Sequence, residues 1–253
     1  MAKAVEVSIT SWRKNAVKAG EEHGRVLLMP GTGYTCDRPL LYWAAQALVE
    51  AGWRIDRMNV RNASDDLSAV TPVLDDAIDG WVAGVRDEAA AAGRNEPRML
   101  LIGKSLTTLT YPHVAMAHAL PFVLLTPVLH HADFDPSQRV IPVRPVGDGD
   151  IVGESAGPIE PVKASGIVKA EAMESAPASV DAADAARYPG PAPLICAGTA
   201  DPFYDRALAR ALTPHVHEYP DANHSIEVPG HWRRSLDYLK EVTASVAQYA
   251  AAL

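Results

Sequence analysis

Cysteine is scarce in this chain. Cys36 and Cys196 are its only two and stand far apart, which excludes a disulfide framework and offers no metal-ligand spacing. Positive charge is also short, with 23 Lys and Arg against 31 Asp and Glu and a formal net charge of -8. No basic cluster exceeds a pair such as Arg233-Arg234, so nucleic acid is excluded as a partner. Long hydrophobic runs are missing too. The longest, residues 120–129, is broken by Pro121 and Pro127 and is too short to span a bilayer, and the N-terminus has no apolar leader core. A cytoplasmic protein that spans no membrane, monomeric or homodimeric, is the expectation. No internal repeat is apparent.

What the chain does have is 48% hydrophobic residues over 253 positions, enough for one large domain with a substantial core. Short apolar runs alternate with amphipathic stretches. Arg25-Val26-Leu27-Leu28-Met29 reads as a strand closed by Pro30-Gly31, and Leu40, Leu41, Ala44, Ala45 and Leu48 follow at helical spacing. Gly52 caps that helix, and residues 53–60 alternate as a strand. A second helix is expected over residues 73–91, with Leu74, Ile78, Trp81, Val82 and Val85 on one face. Further strands are expected at residues 99–102, 122–126, 193–198 and 216–219. A last helix over residues 231–250 carries Trp232, Leu236, Leu239, Val242, Val246 and Tyr249 on one stripe. The rhythm implies an α/β fold with a doubly wound, mostly parallel sheet and helices on both faces.

Residues 130–190 depart from this rhythm. They are rich in Ala, Pro, Gly, Asp and Glu, and the reading is a lid-like or irregular insertion over the carboxyl ends of the strands. Within it a hairpin around residues 147–150 and a short helix over residues 179–187 are expected.

The chemistry starts at Met99-Leu100-Leu101-Ile102-Gly103-Lys104-Ser105-Leu106-Thr107, an apolar run ending in Gly-x-Ser and entering a glycine-free, helix-like stretch from residue 106 to 120. This reads as a tight strand-to-helix turn that lifts a serine hydroxyl above a sheet. Gly-x-Ser alone is expected about once by chance at this length, so its flanks must carry the reading. Gly153-Glu154-Ser155-Ala156-Gly157 matches the full Gly-x-Ser-x-Gly pattern, yet alternating Gly and Asp precede it and Gly157-Pro158 follows. Ser105 is therefore preferred over Ser155. The chain also lacks a phosphate-binding loop, since Arg98 stands where that motif needs glycine.

A serine hydroxyl needs a base, and the base needs a group to fix its tautomer. Both should lie on loops at the carboxyl ends of later strands. Thr199-Ala200-Asp201-Pro202-Phe203-Tyr204-Asp205 and Pro220-Asp221-Ala222-Asn223-His224-Ser225 occupy such positions. Asp205 is the rival acid and Asp221 a lesser one. Lys104 reads as a solvent-facing or helix-packed residue. Tyr34 and Phe203 are candidates to line an acyl pocket, with plain packing as the alternative; His130 and His131, which follow a strand at the active edge, are candidates to touch substrate, with a solvated loop pair as the alternative.

Across most of its length outside residues 130–190, the sequence resembles the α/β-hydrolase superfamily, and within it the small dienelactone-hydrolase-like serine hydrolases. The motifs are Leu28-Met29-Pro30-Gly31-Thr32-Gly33, Gly103-Lys104-Ser105, Gly198-Thr199-Ala200-Asp201-Pro202 and Ala222-Asn223-His224-Ser225. The resemblance implies Ser105 as nucleophile, His224 as general base and then acid, and Asp201 as the orienting carboxylate. It further implies an oxyanion hole from the amides of Leu106 and of Thr32 or Gly33. Three departures stand out: Thr107 where a small glycine is usual, Pro30-Gly31 in place of His-Gly, and serine where dienelactone hydrolases use cysteine. The implied reaction is hydrolysis of a carboxylic ester, thioester or lactone of a small acyl substrate, with no metal and no organic cofactor. Acyl transfer to an alcohol, amine or peroxide uses the same residues, and a non-catalytic scaffold binding a ligand or partner uses the fold alone.

Overall fold

Strands that must be covered on both faces appear in sequence as uninterrupted apolar runs, and those runs form the middle of the sheet. The computed structural model describes residues 5–62, 67–130 and 188–253. Its strands are β1 (Val5–Ser11), β2 (Gly24–Met29), β3 (Trp53–Asn62), β4 (Arg98–Lys104), β5 (Phe122–Leu125), β6 (Leu194–Gly198) and β7 (Val216–Tyr219). They form one sheet in the order β1-β3-β2-β4-β5-β6-β7. Every pairing is parallel except β1 with β3, where Val7 lies opposite Val60 in an antiparallel edge. All residues of β2, β5 and β6 are buried.

From β2 the chain steps outward to β3, then returns past β2 to start β4 on the other side. The carboxyl ends of β2 and β4 thus flank a reversal of strand order, the place where open parallel sheets leave a crevice.

Helices cover both faces. On one side α1 (Pro39–Glu50) and α5 (Trp232–Ala251) pack together over Leu28, Ile55, Leu100 and Leu125. On the other, α2 (Leu67–Ala91), α3 (Tyr111–Ala117) and α4 (Arg206–Leu212) lie over Leu27, Leu101, Phe122 and Leu124. Cys36 and Cys196 are buried and unpaired, and burial pushes each thiol up to about 12. No helix among the described residues is long and apolar enough to cross a membrane.

Several expectations need correction. α2 begins at Leu67, six residues before the expected Val73, and runs through Pro72. The stretch after Ser105 is a 3-10 turn (Ser105–Thr110) and then the short α3, which ends at Ala117. Its threonines explain the tighter winding, because Thr107, Thr108 and Thr110 each turn a hydroxyl back onto a carbonyl three residues earlier. The apolar stripe of α5 is only partly covered: Val242 and Val246 are buried, whereas Trp232 and Leu236 are more than half exposed. The expected hairpin, the short helix over residues 179–187, Ser155 and His131 lie outside the described residues, as does nearly all of the expected insertion.

β3 breaks its own alternation at Asp56, which is buried. Its carboxylate accepts from the guanidinium of Arg25 at 2.5 Å and from the Trp81 indole at 3.0 Å, and Arg25 also reaches Glu88 at 2.8 Å. Burial alone would lower the Arg25 pKa, but its hydrogen bonds to Asp56 and Glu88 outweigh that and raise it.

Candidate active site

Ser105 stands at the tip of β4 with φ +55°, in the left-handed region that a residue with a Cβ enters at a cost of about 1–3 kcal/mol. Close packing holds the turn. A Cβ on Gly103 would lie 2.9 Å from the Phe122 ring, and one on Gly31 would lie 3.1 Å from the Ser105 Cβ. Thr107, fully buried, braces the turn despite its β-branched shape. Its hydroxyl accepts from the Lys104 N–H at 3.1 Å and lies 3.3 Å from the Lys104 carbonyl oxygen, to which it donates. Thr108 donates to the Ser105 carbonyl at 2.5 Å and accepts from the Val128 N–H at 3.3 Å, tying the turn to the loop after β5.

The loops after β6 and β7 bring up the other groups. A Cβ on Gly198 would lie 2.1 Å from the Ala222 carbonyl oxygen, so glycine is what lets these two loops touch. Thr199 and Ala200 donate their N–H groups to Tyr219 and Ala222 across the contact. Beyond it, the Asn223 side chain accepts from the N–H groups of Ser225 and Glu227 and so shapes the turn that presents His224.

The structure brings Ser105, His224 and Asp201 into one hydrogen-bonded line. The His224 Nδ1 lies 2.7 Å from Asp201 Oδ2, and its Nε2 lies 2.8 Å from the Ser105 Oγ. An ionised carboxylate can only accept, so Nδ1 carries the proton and donates it to Asp201, leaving Nε2 of the neutral ring to accept from the serine hydroxyl. The Asp201 side chain is wholly buried, and its other oxygen accepts from the Phe203 N–H at 2.9 Å. The Phe203 ring stands edge-on to the imidazole at 4.9 Å.

The rival acids are engaged elsewhere. Asp205 accepts from the Leu208 N–H at 2.8 Å as the N-cap of α4. Asp221 is a mostly exposed partner of Arg234 at 3.0 Å.

A cavity of about 290 Å³ opens over the serine, lined by Thr32, Ser105, Leu106, Leu109, Val128, Phe203 and His224. In the loop after β2, Gly31 and Tyr34 exchange backbone hydrogen bonds, which leaves the exposed Thr32 and Gly33 at the tip. Phe203 lines this cavity as expected, but Tyr34 and His130 are not part of its wall. The Tyr34 hydroxyl accepts from the Leu40 N–H at the start of α1, and burial pushes its pKa up to about 12. His130 lies beside the cavity's margin, its N–H bonded to the Phe203 carbonyl.

Of the two expectations for Lys104, solvent-facing or helix-packed, the first does not hold, since the residue is 2% exposed. Its ammonium sits 4.8 Å from the centre of the Tyr34 ring. Burial lowers its pKa to about 8, against a smaller opposing pull from Asp201. Among the described residues one group has metal-ligand character, Asp79 with His113 and His118 between α2 and α3.

No protein-family model matches the sequence, and no curated protein matches it either. Solved structures do resemble it. An α/β serine hydrolase without lid from Xanthomonas campestris aligns with a TM-score of 0.52 at 15% identity, covering 97% of this chain and 89% of that one. Est1E from Butyrivibrio proteoclasticus with ferulic acid bound aligns at 0.51 and 13% identity, covering 99% and 95%. A thermophilic esterase from Thermogutta terrifontis with propionate bound aligns at 0.55 and 13% identity, covering 96% and 89%. At such identities the likeness establishes architecture, and together with the strand order it gives the conclusion that this chain has the α/β-hydrolase fold.

Proposed function

We propose that this protein is a serine hydrolase that cleaves a carboxylic ester, thioester or lactone through an acyl-enzyme on Ser105. The observation that carries the reading is the unbroken hydrogen-bond line from Asp201 through His224 to Ser105. His224 Nε2 takes the hydroxyl proton as Ser105 Oγ attacks the acyl carbon, and Asp201, held by the Phe203 N–H, stabilises the resulting imidazolium. His224 then gives that proton to the leaving group. Water, activated by the same imidazole, releases the acid and restores the serine.

The negative oxygen of the tetrahedral intermediate needs donors already in place. The Leu106 N–H and that of Thr32 or Gly33 are assigned this role, since Leu106 and Thr32 both line the cavity beside Ser105. One such donor is worth ~2.7–4 kcal/mol in enzymes of this chemistry. The apolar walls formed by Leu106, Leu109, Val128 and Phe203 suit a short acyl chain. That a solved structure with this fold is a thermophilic esterase supports the choice of bond.

A panel of p-nitrophenyl esters and acyl thioesters of graded length tests the proposal. Turnover by the wild type that disappears in Ser105→Ala, with short chains preferred, is the expected result. Equal turnover by folded Ser105→Ala would overturn it.

A further inference from the structure

Away from the serine, two imidazoles converge on one carboxylate. Asp79 projects from α2, and His113 and His118 come from α3 and its C-terminal end. The His113 Nε2 lies 2.8 Å and the His118 Nε2 2.6 Å from the same Asp79 Oδ1. All three ligand-type atoms fall within 4.8 Å of one another, and the two rings stand nearly perpendicular at 81°. A plain ion pair needs one imidazole for one carboxylate. Here both rings aim the same nitrogen at a single point.

A second carboxylate faces the group. Asp75 lies one turn earlier on α2, on the same helix face as Asp79, close enough for its charge to be felt by Asp79 and His113. Its Oδ1 is buried and has no hydrogen-bond partner. Neither Asp75 nor Asp79 pairs with a lysine or arginine among the described ion pairs, and the two carboxylates give the group the acidic character that a divalent cation offsets.

We propose that Asp79, His113 and His118 form a site for a divalent transition-metal ion of the zinc type, with Asp75 supplying the balancing charge. Two imidazole nitrogens and one carboxylate oxygen match the borderline character of such ions and leave a fourth position for water. Metal–ligand bonds near ~2.0–2.2 Å place ligand atoms about 3.3 Å apart in a tetrahedral site. Asp79 therefore has to withdraw by roughly half an ångström from each imidazole on metal binding, and its side chain is 45% exposed, so it has room. The bound ion ties α2 to α3, the helix that directly follows the Ser105 turn.

The test is Co2+ titration of full-length protein freed of metal with a chelator, read by visible absorption, with Zn2+ as competitor. The wild type is expected to bind one equivalent with the intense bands of a low-coordinate Co2+ site, which Zn2+ abolishes, and to melt at a higher temperature with Zn2+. Loss of even an outer partner of a metal site weakens affinity ~10- to 100-fold, so His113→Gln and Asp79→Asn are expected to bind at least tenfold more weakly. His231→Gln, which alters an exposed histidine elsewhere, is expected to bind as the wild type does. Absence of a one-equivalent Co2+ spectrum in the wild type overturns the proposal, whatever the variants do. So does unchanged affinity in both His113→Gln and Asp79→Asn.

Discussion

Replacing Lys104 with methionine should stabilise this protein at neutral pH. The ammonium is buried beside Tyr34, and burial lowers its pKa from 10.5 to about 8. A lysine whose folded pKa lies below its unfolded value holds fewer protons when folded between those two values, so stability rises with pH across that window. Below about pH 8 the proton is on in both states and the whole cost of burying the charge remains. At 1.36 kcal/mol for each pH unit, the interval from 8 to 10.5 corresponds to roughly 3 kcal/mol, less ~0.5–2 kcal/mol for the cation–π contact with Tyr34. Methionine keeps the apolar stem that packs against Gly31 and removes the charge. Urea unfolding at pH 7 should therefore place Lys104→Met about 1–3 kcal/mol above the wild type, and at pH 9.5 the advantage should shrink by about 2 kcal/mol. A variant less stable than the wild type at pH 7, or a difference that does not change with pH, would refute the reasoning.

Two further outcomes separate function from scaffold. Asp201→Asn should fold normally but lose activity on the order of 10⁴-fold in kcat, because an amide can hold the imidazole in the wrong tautomer. Asp205→Ala, by contrast, should leave kcat alone and cost about 1 kcal/mol of stability through the lost N-cap of α4. At the opposite end of the sheet, Asp56→Ala leaves the Arg25 guanidinium buried without its closest partner and should cost ~3–5 kcal/mol in denaturant unfolding.

The parallel core was legible because strands covered on both faces cannot hide: Val26-Leu27-Leu28-Met29 and Met99-Leu100-Leu101-Ile102 admit little else. Strand β1 went unread, although Val5, Val7 and Ile9 do alternate, because a half-exposed edge strand shows only three apolar residues. The 3-10 turn after Ser105 was hidden for another reason. Absence of glycine says a helix is permitted, whereas the three threonine hydroxyls that tighten the turn act through hydrogen bonds that spacing does not reveal.

At the site, flanking pattern and loop position pointed to Ser105 and to the two loops after β6 and β7, while the resemblance to α/β-hydrolases was needed to choose Asp201 and His224 within them. The supporting contacts were not visible, since Gly198 matters through its close approach to the Ala222 carbonyl, 24 positions away. Tyr34 and Lys104 illustrate the same limit from the other side. Both flank the reacting groups in sequence, yet they pair with each other and pack beneath the loops.

The central claim is that Ser105 is a nucleophile made reactive by His224. Treatment with a fluorophosphonate followed by peptide mass spectrometry tests it most directly. The account predicts one adduct, on the peptide carrying Ser105, formed quickly by the wild type and at least a thousandfold more slowly by folded His224→Ala, on the order of the loss seen when a triad member is removed. An adduct on Ser155, or labelling of Ser105 at the same rate without the imidazole, would contradict it.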